Sequence, residues 1–396
     1  MQEILLRDIC DLDNGYAFKS SDYVDKSNTL NCRMSNIRPD GSFDILYNAK
    51  YLPDDYAGKY KDYLLNDGDL IIAMTDMAGD PKILGVPTVV NTQGFRLLLN
   101  QRVGKLRIIQ EGVNPEYLKL SLQCSRVREY FKRFAGGGVQ LNVSKKDILN
   151  APIRMRSSGD QNHIAQIFNN VIRIKKLREA ELKRLDELIK ARFVEMFGDP
   201  VHNDKNWETN TVENLCKEIY GGGTPSKSHR EYYDNGDIPW VSSKDMKSDV
   251  ISDSQIHITQ LGVDNSTAKL VPVNSVIMVT RSGILKHTLP VAINSVPVTV
   301  NQDLKVFIPE ERILTRFLAI QFKMHEKDIL SGVRAVTADN IEFNSLKQRQ
   351  MIVPPIELQQ RYVSALEQVD KSKVAVQKSL DEAQLLFNSL MQKYFG

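Results

Sequence analysis

The chain is poor in cysteine, in tryptophan and in long apolar runs. It has four cysteines and two tryptophans in 396 residues. Cys10, Cys32, Cys124 and Cys216 form no Cys-x-x-Cys pair and no His/Cys cluster at metal-ligand spacing, so no metal site is assigned. They read as reduced, mostly buried thiols of a cytoplasmic protein. No stretch approaches the roughly 20 apolar residues that cross a bilayer. Residues 1–7 lack the basic start and small-residue cleavage site of a secretory leader. With 42% hydrophobic and 26% charged residues, the composition is that of packed soluble domains rather than a disordered chain.

Charge of one sign is also scarce, with 52 Lys and Arg against 49 Asp and Glu, a net of +3. A protein that holds nucleic acid unaided usually has a larger basic excess, because affinity comes largely from neutralised phosphates. Any such surface here must be local, or be completed by partner subunits.

Catalytic signatures are missing as well. There is no Gly-rich dinucleotide loop after a strand and no Walker lysine. The Asn-Pro-Pro-aromatic motif of amino-methylating enzymes is absent, since Val353-Pro354-Pro355-Ile356 has neither the asparagine nor the ring. The glycine runs at 136–138 and 221–223 read as flexible turns. Asp303-Leu304-Lys305 comes nearest to nuclease chemistry, in which a carboxylate-x-lysine and an upstream acid hold Mg²⁺. The corresponding Arg102-Val103-Gly104 has no carboxylate and no upstream acid stands out, so a strand-edge ion pair is expected instead. No catalytic residue and no cofactor are assigned.

What the chain does have is a repeat. Residues 386–396 match residues 188–198, an offset of 198, half the chain. Residues 66–75 resemble 272–281, each a turn leading into a buried strand. Leu97-Leu98-Leu99-Asn100-Gln101 matches Val298-Thr299-Val300-Asn301-Gln302, a strand ending in two amides. Cys10 and Cys216 also occupy matching places. A duplicated unit puts two similar surfaces on one chain under approximate two-fold symmetry. Duplex DNA is the commonest two-fold ligand for such an object.

The expected fold class is α+β, with two similar mixed domains separated by a long antiparallel coiled-coil pair of helices. The expected boundaries are a mixed domain at 1–155, a helical segment at 156–200, a second mixed domain at 201–352 and a second helical segment at 353–396. In the second helix Tyr362, Leu366, Val369, Lys373, Val376, Leu380, Ala383, Phe387, Leu390 and Tyr394 alternate steps of four and three. The first-helix equivalents are Ile164, Phe168, Val171, Lys175, Arg178, Leu182, Leu185, Ile189, Arg192 and Met196. Both seams carry a lysine at the same place, which fixes register. A helix of about 35 residues reaches about 50 Å. Ile167, Ile174, Leu188 and Phe193 are apolar residues left over from the seam, suited to a subunit interface.

Cationic and amide side chains recur on corresponding loops of the two copies. The first set is Lys19, Arg33, Arg96, Gln101, Arg102, Gln140 and Lys145; the second is Lys227, Arg230, Lys244, Arg281, Lys286, Gln302 and Arg334. Arginine can bridge guanine O6 and N7, and glutamine can pair with adenine; lysines anchor phosphates. Taken singly, each is an ordinary solvated residue, and the case rests on their clustering. Tyr16, Phe18, Tyr23, Tyr232 and Tyr233 near those loops suit sugar or thymine-methyl contacts, with core packing as the plainer role.

These features together resemble the specificity (S) subunit of type I restriction–modification systems, over the whole chain. Met196-Phe197-Gly198-Asp199-Pro200 with Trp207, and Pro354-Pro355-Ile356-Glu357-Leu358-Gln359-Gln360, carry the resemblance most strongly. Gly15-Tyr16-Ala17-Phe18-Lys19-Ser20, Gly222-Gly223-Thr224-Pro225-Ser226-Lys227 and the paired Asn-Gln strands add to it. The first helix departs from the family pattern, opening with Ile153-Arg154-Met155-Arg156 in place of a double proline. The resemblance implies two target recognition domains that each read half of a split, asymmetric double-stranded DNA sequence, with the helices setting the spacer. It also implies two methyltransferase (M) subunits and restriction (R) subunits as partners. S-adenosylmethionine, ATP and Mg²⁺ would belong to those partners. Adenine methylation and restriction would then be their work, with this chain non-catalytic. The alternatives are a combined restriction–modification enzyme, for which about 300 further residues would be needed, and a helical scaffold without DNA readout.

Overall fold

A computed structural model describes residues 2–332, 334–335 and 339–396. The chain forms two compact units, Met1–Glu179 with Lys378–Gly396, and Ala180–Gln377.

In the first unit the run Leu70–Ala73 is a strand buried on both faces, as its unbroken apolar sequence requires. Alternation sends Leu70 and Ile72 into one core, with Leu6, Leu12, Tyr117 and Phe131. Ile71 and Ala73 enter another, with Leu30, Cys32, Leu97 and Leu99. The strand belongs to an antiparallel sheet in the order Cys10–Asn14, Val103–Ile108, Leu70–Ala73, Pro87–Val89. A second sheet has the order Tyr51–Leu52, Thr29–Cys32, Arg96–Leu99, Leu64–Leu65, and its central pair is parallel.

The second unit repeats this plan. Val276–Val279 is wholly buried within the sheet Cys216–Gly221, Leu304–Pro309, Val276–Val279, Val291–Asn294, Val250–Ile251. Ile238–Val241 runs parallel to Thr299–Val300 in a smaller sheet. That pair corresponds to Thr29–Cys32 beside Arg96–Leu99 in the first unit.

The long helices are Ser158–Phe197 and Ile356–Phe395, 40 residues each, somewhat longer than the seam alone suggested. Ser157 replaces the double proline as the start signal of the first. Its Oγ accepts from the Asp160 amide at 3.2 Å and donates to the Asp160 carboxylate at 2.8 Å. Gly198, at φ +76°, ends that helix in the left-handed conformation that glycine adopts without strain. Lys205 Nζ then binds the carbonyls of Glu195 and Met196, and Trp207 Nε1 binds that of Phe197 at 2.9 Å. The Met-Phe-Gly-Asp-Pro junction and its tryptophan are therefore a helix stop.

Gln161 and Gln359, 198 positions apart, are both buried. Gln161 accepts from the Asn114 amide and donates to the Arg156 carbonyl, both at 2.9 Å. Gln359 accepts from the Leu314 amide at 2.9 Å and donates to the Pro354 carbonyl at 2.8 Å. Each glutamine ties a long-helix start to the front of a helix in its own unit, Pro115–Gln123 or Thr315–Met324.

Within each unit, parts of both long helices pack antiparallel. In the first, Phe168 meets Phe387 with ring centroids 5.2 Å apart, and Lys175 donates to Gln384. In the second, Tyr362 donates to the Ile189 carbonyl at 3.0 Å, and Lys373 binds Asp186. Gln384 and Asp186 are themselves equivalent, so both seam lysines find the same place on the facing helix. All ten second-helix seam residues are buried or half-buried; in the first helix Arg192 is exposed.

Phe193 requires a correction. It is fully buried, not left over for a partner, and packs on Phe197, Phe317 and Tyr362 at centroid distances of 5.1–5.5 Å. Ile189, Phe193 and Phe197 recur every four residues, the face that a helix end presents when it packs on a domain and not only on another helix. The other three residues of that set differ: Ile167 is half-buried, while Ile174 and Leu188 are exposed.

Candidate nucleic-acid interface

The two amides at the end of each repeated strand define the site. In the first unit the Asn100 amide donates to the Cys32 carbonyl (3.0 Å), and Val103 N donates back to the Asn100 carbonyl (2.9 Å). Asn100 is buried, and its Oδ1 accepts from Arg102 N at 3.1 Å, closing a turn around its own side chain. The turn pushes Gln101 and Arg102 into solvent. The second unit repeats each bond. Asn301 N donates to the Val241 carbonyl (2.9 Å), Leu304 N to the Asn301 carbonyl (3.2 Å), and Asp303 N to Asn301 Oδ1 (3.1 Å). Gln302 is the exposed counterpart of Gln101, and the half-buried Asp303 stands where the first unit has Arg102.

Two further segments converge on each turn. Tyr16 N binds the Leu99 carbonyl (2.9 Å), and Gly223 N binds that of Val300 (3.0 Å). The preceding residues are glycines of necessity: a Cβ on Gly15 would lie 2.2 Å from the Asn100 oxygen, and one on Gly222 would lie 2.0 Å from the Val300 oxygen. On the other side, Met74 N binds the Arg102 carbonyl (3.0 Å) and Thr280 N that of Asp303 (2.8 Å). These lead into the strand pairs Thr75–Met77 with Gln140–Asn142, and Arg334–Ala335 with Asp339–Asn340.

In the first unit, Arg33, Gln101 and Arg102 therefore lie at one strand end, Gln140 stands farther out on the strand pair that leaves it, opposite Met77, and Lys19 is carried on the loop leaving Tyr16. Arg33 is half-buried and its Nη1 has no hydrogen-bond partner among the described residues. Arg96 lies at the opposite end of its strand, paired with Asp54 at 2.7 Å. The Asp54 carboxyl is held below the usual range, first by the Thr29 hydroxyl. Lys145 is also elsewhere, 3.0 Å from Asp11, whose carboxyl it lowers. In the second unit, Gln302 and Arg281 lie at the strand end, with Lys286 closing the short helix Gly283–Lys286 that follows. Lys227 and Arg230 are exposed on the loop beyond Gly223, and Lys244 is exposed in the turn after Val241. The Arg334 side chain lies outside the described residues.

Asp303 carries the expected strand-edge ion pair: Arg281 binds its carboxylate at 2.6 Å. Among the described residues, no three His, Cys, Asp or Glu side chains group to hold a metal ion. Among the described residues, no helix is long and apolar enough to cross a membrane. The four cysteines are unbridged and buried, and burial pushes the Cys10 and Cys216 thiols up to about 12.

Sequence reasoning missed the groups that stiffen these loops. Around the first are Tyr56, Tyr60 and Tyr63, with Tyr16 and Tyr60 centroids 4.5 Å apart. Around the second is Trp240, edge-on to Tyr233, a ring for which core packing was the plainer expectation. The spacing Tyr56-x₃-Tyr60-x₂-Tyr63 was the available signal.

Comparison with known proteins decides the family. The type I restriction modification DNA specificity domain matches twice, at residues 1–186 and 204–384. The chain belongs to that family. It is 40% identical over 153 residues to the EcoR124I/EcoR124II specificity subunit of Escherichia coli, covering 38% of each chain. It is 30% identical over 174 residues to the MjaIX specificity subunit of Methanocaldococcus jannaschii, covering 42% of this chain and 38% of that one. These matches span about two fifths of those relatives' length. In fold it is similar to the crystal structure of a type I restriction–modification S subunit from M. genitalium. That match has a TM-score of 0.58 at 11% identity, with 100% of this chain and 96% of that one covered. The family's repeat is the one read from the sequence, and the mixed two-domain architecture agrees with the α+β expectation.

Proposed function

We propose that this chain is the non-catalytic, sequence-specific DNA-recognition subunit of a type I restriction–modification complex. The observation that carries the reading is the family's DNA specificity domain present twice, with the same exposed amide built on the same turn in each copy. Each unit reads one half of a bipartite, asymmetric target. The turns and hairpins at the strand ends enter the groove, where glutamine and arginine meet base edges. Lysines on the surrounding loops meet phosphates and set orientation. The long helices act as the ruler between the half-sites, since about 60 Å of helix exceeds one turn of duplex, about 34–36 Å.

Two M subunits and the R subunits supply methylation of adenine and cleavage, together with S-adenosylmethionine, ATP and Mg²⁺. They also supply phosphate contacts that a net charge of +3 does not. Ile174 and Leu188 on the helices suit such partners.

The test is an insertion or deletion of about four residues, one helical turn, within 183–187. Methylome sequencing of a host expressing the altered chain with its partners should show a changed spacer between unchanged half-sites. Altered half-sites around an intact spacer would defeat the ruler. Methylation or cleavage by the isolated chain would defeat the assignment.

A further inference from the structure

We infer that Thr224 is a positioning residue that fixes the Gln302 amide, so that the second unit discriminates more sharply at that position than the first does at Gln101. The inference rests on the DNA-reading role proposed above. The Thr224 hydroxyl donates to Gln302 Oε1 and so tethers the amide to the loop. Thr224 is itself firmly placed. The carbonyl before it, of Gly223, accepts from Trp240 Nε1 at 2.9 Å, and the carbonyl after it, of Pro225, accepts from the Tyr233 hydroxyl at 2.6 Å. Gly223 is pressed so closely on Thr267 and Ala268 that a Cβ there would lie 2.3–2.4 Å from their backbone.

The first unit has no such device. The backbone bonds Tyr16 N to Leu99 O and Gly223 N to Val300 O make Ala17 the counterpart of Thr224. A methyl group cannot orient an amide. Among the described residues Gln101 therefore lacks the tether that Gln302 has. Bidentate pairing with adenine needs the amide oxygen and nitrogen together in the plane of the base. An amide already tethered at one place loses less freedom on meeting such an edge. One hydroxyl thus sharpens the reading at one position of one half-site.

The experiment is methylome sequencing of the chain co-expressed with its methyltransferase partner. Gln302→Ala and Gln101→Ala first mark the base pair that each side chain reads. Thr224→Val, which keeps the shape and removes the hydroxyl, should then lower discrimination about tenfold at the Gln302 base pair alone. Thr224→Ser should retain it, and Ala17→Thr should sharpen the Gln101 position. If Gln302→Ala shifts a base pair that Thr224→Val leaves at parental discrimination, the positioning role is wrong and the DNA-reading role stands. If neither glutamine variant shifts any position while methylation proceeds at parental sites, the DNA-reading role at these turns is wrong and Thr224 falls with it.

Discussion

The two units build one scaffold and arrange charge on it in opposite ways. At the turn after the repeated strand, the first unit exposes Arg102, while the second has Asp303 at that place, neutralised by Arg281 at 2.6 Å. Thr75, the counterpart of Arg281, spends its hydroxyl on Asn142 at 2.8 Å. The same inversion recurs where the two shorter helices of each unit meet. Arg126 and Arg128 stand in the first unit where Glu326 and Asp328 stand in the second, and Ser125 where the second buries His325. Backbone bonds that hold the turn are kept, while the charged side chains around it are exchanged. A duplicated protein that read the same bases twice would need no such exchange.

Substitutions at equivalent positions of the two units test that difference. The largest effect is expected at the end of the first long helix. Phe193→Ala should cost about 3–5 kcal/mol in urea unfolding, because the ring is wholly buried among three others. The equivalent Met391→Ala, at a half-buried position, should cost less. Equal losses would mean that the two helix ends pack alike.

Acid should separate the units next. His325 is buried, and neither ring nitrogen has a hydrogen-bond partner among the described residues. Burial, with Arg349 nearby, lowers its pKa from 6.5 to about 4, opposed by Asp328 and Asp199. Because the folded value lies below the unfolded one, the neutral ring's contribution is whole above pH 6.5 and is lost as pH falls towards 4. The loss amounts to about 3 kcal/mol, confined to the second unit. Hydrogen exchange at pH 7 and pH 4.5 should show the second unit loosening first in the parent, and His325→Gln should reduce the difference. An unchanged order of protection would overturn this account.

The smallest effects concern the exposed cations. Arg102→Ala should reduce the salt slope of DNA binding by the partner-bound complex by about one phosphate. Arg281→Ala should change that slope less, since its charge is already met by Asp303. It should also cost little stability, about 0–1 kcal/mol for an exposed pair. A steeper loss for Arg281 than for Arg102 would reverse the assignment of free and committed charge.

Much of the fold was legible because its signals are local. The lysine-bearing seams and the Asn-Gln strand ends are patterns of near neighbours, the repeat shows where such patterns recur about 200 residues on, and the structure gives each a physical reason. The first helix start was legible only in part, because a serine cap took over from the double proline. Phe193 was misread because a strict alternation of four and three does not follow the helix where it leaves its partner for a domain. The site was less legible still. Arg96 and Lys145 looked like their neighbours, and only contacts with Asp54 and Asp11, far away in sequence, show them committed elsewhere. Likewise nothing near Gln302 in sequence announces Thr224, which lies 78 positions earlier.

The central claim is that each unit reads its own half-site. Its most direct test is methylome sequencing of a host whose chain keeps residues 1–200 and 353–396 but takes residues 201–352 from another family member with a known target. The prediction is a hybrid sequence: the first half-site and the spacer length retained, and the second half-site replaced by the donor's. A change in both halves, or a target unaltered in either, would contradict it.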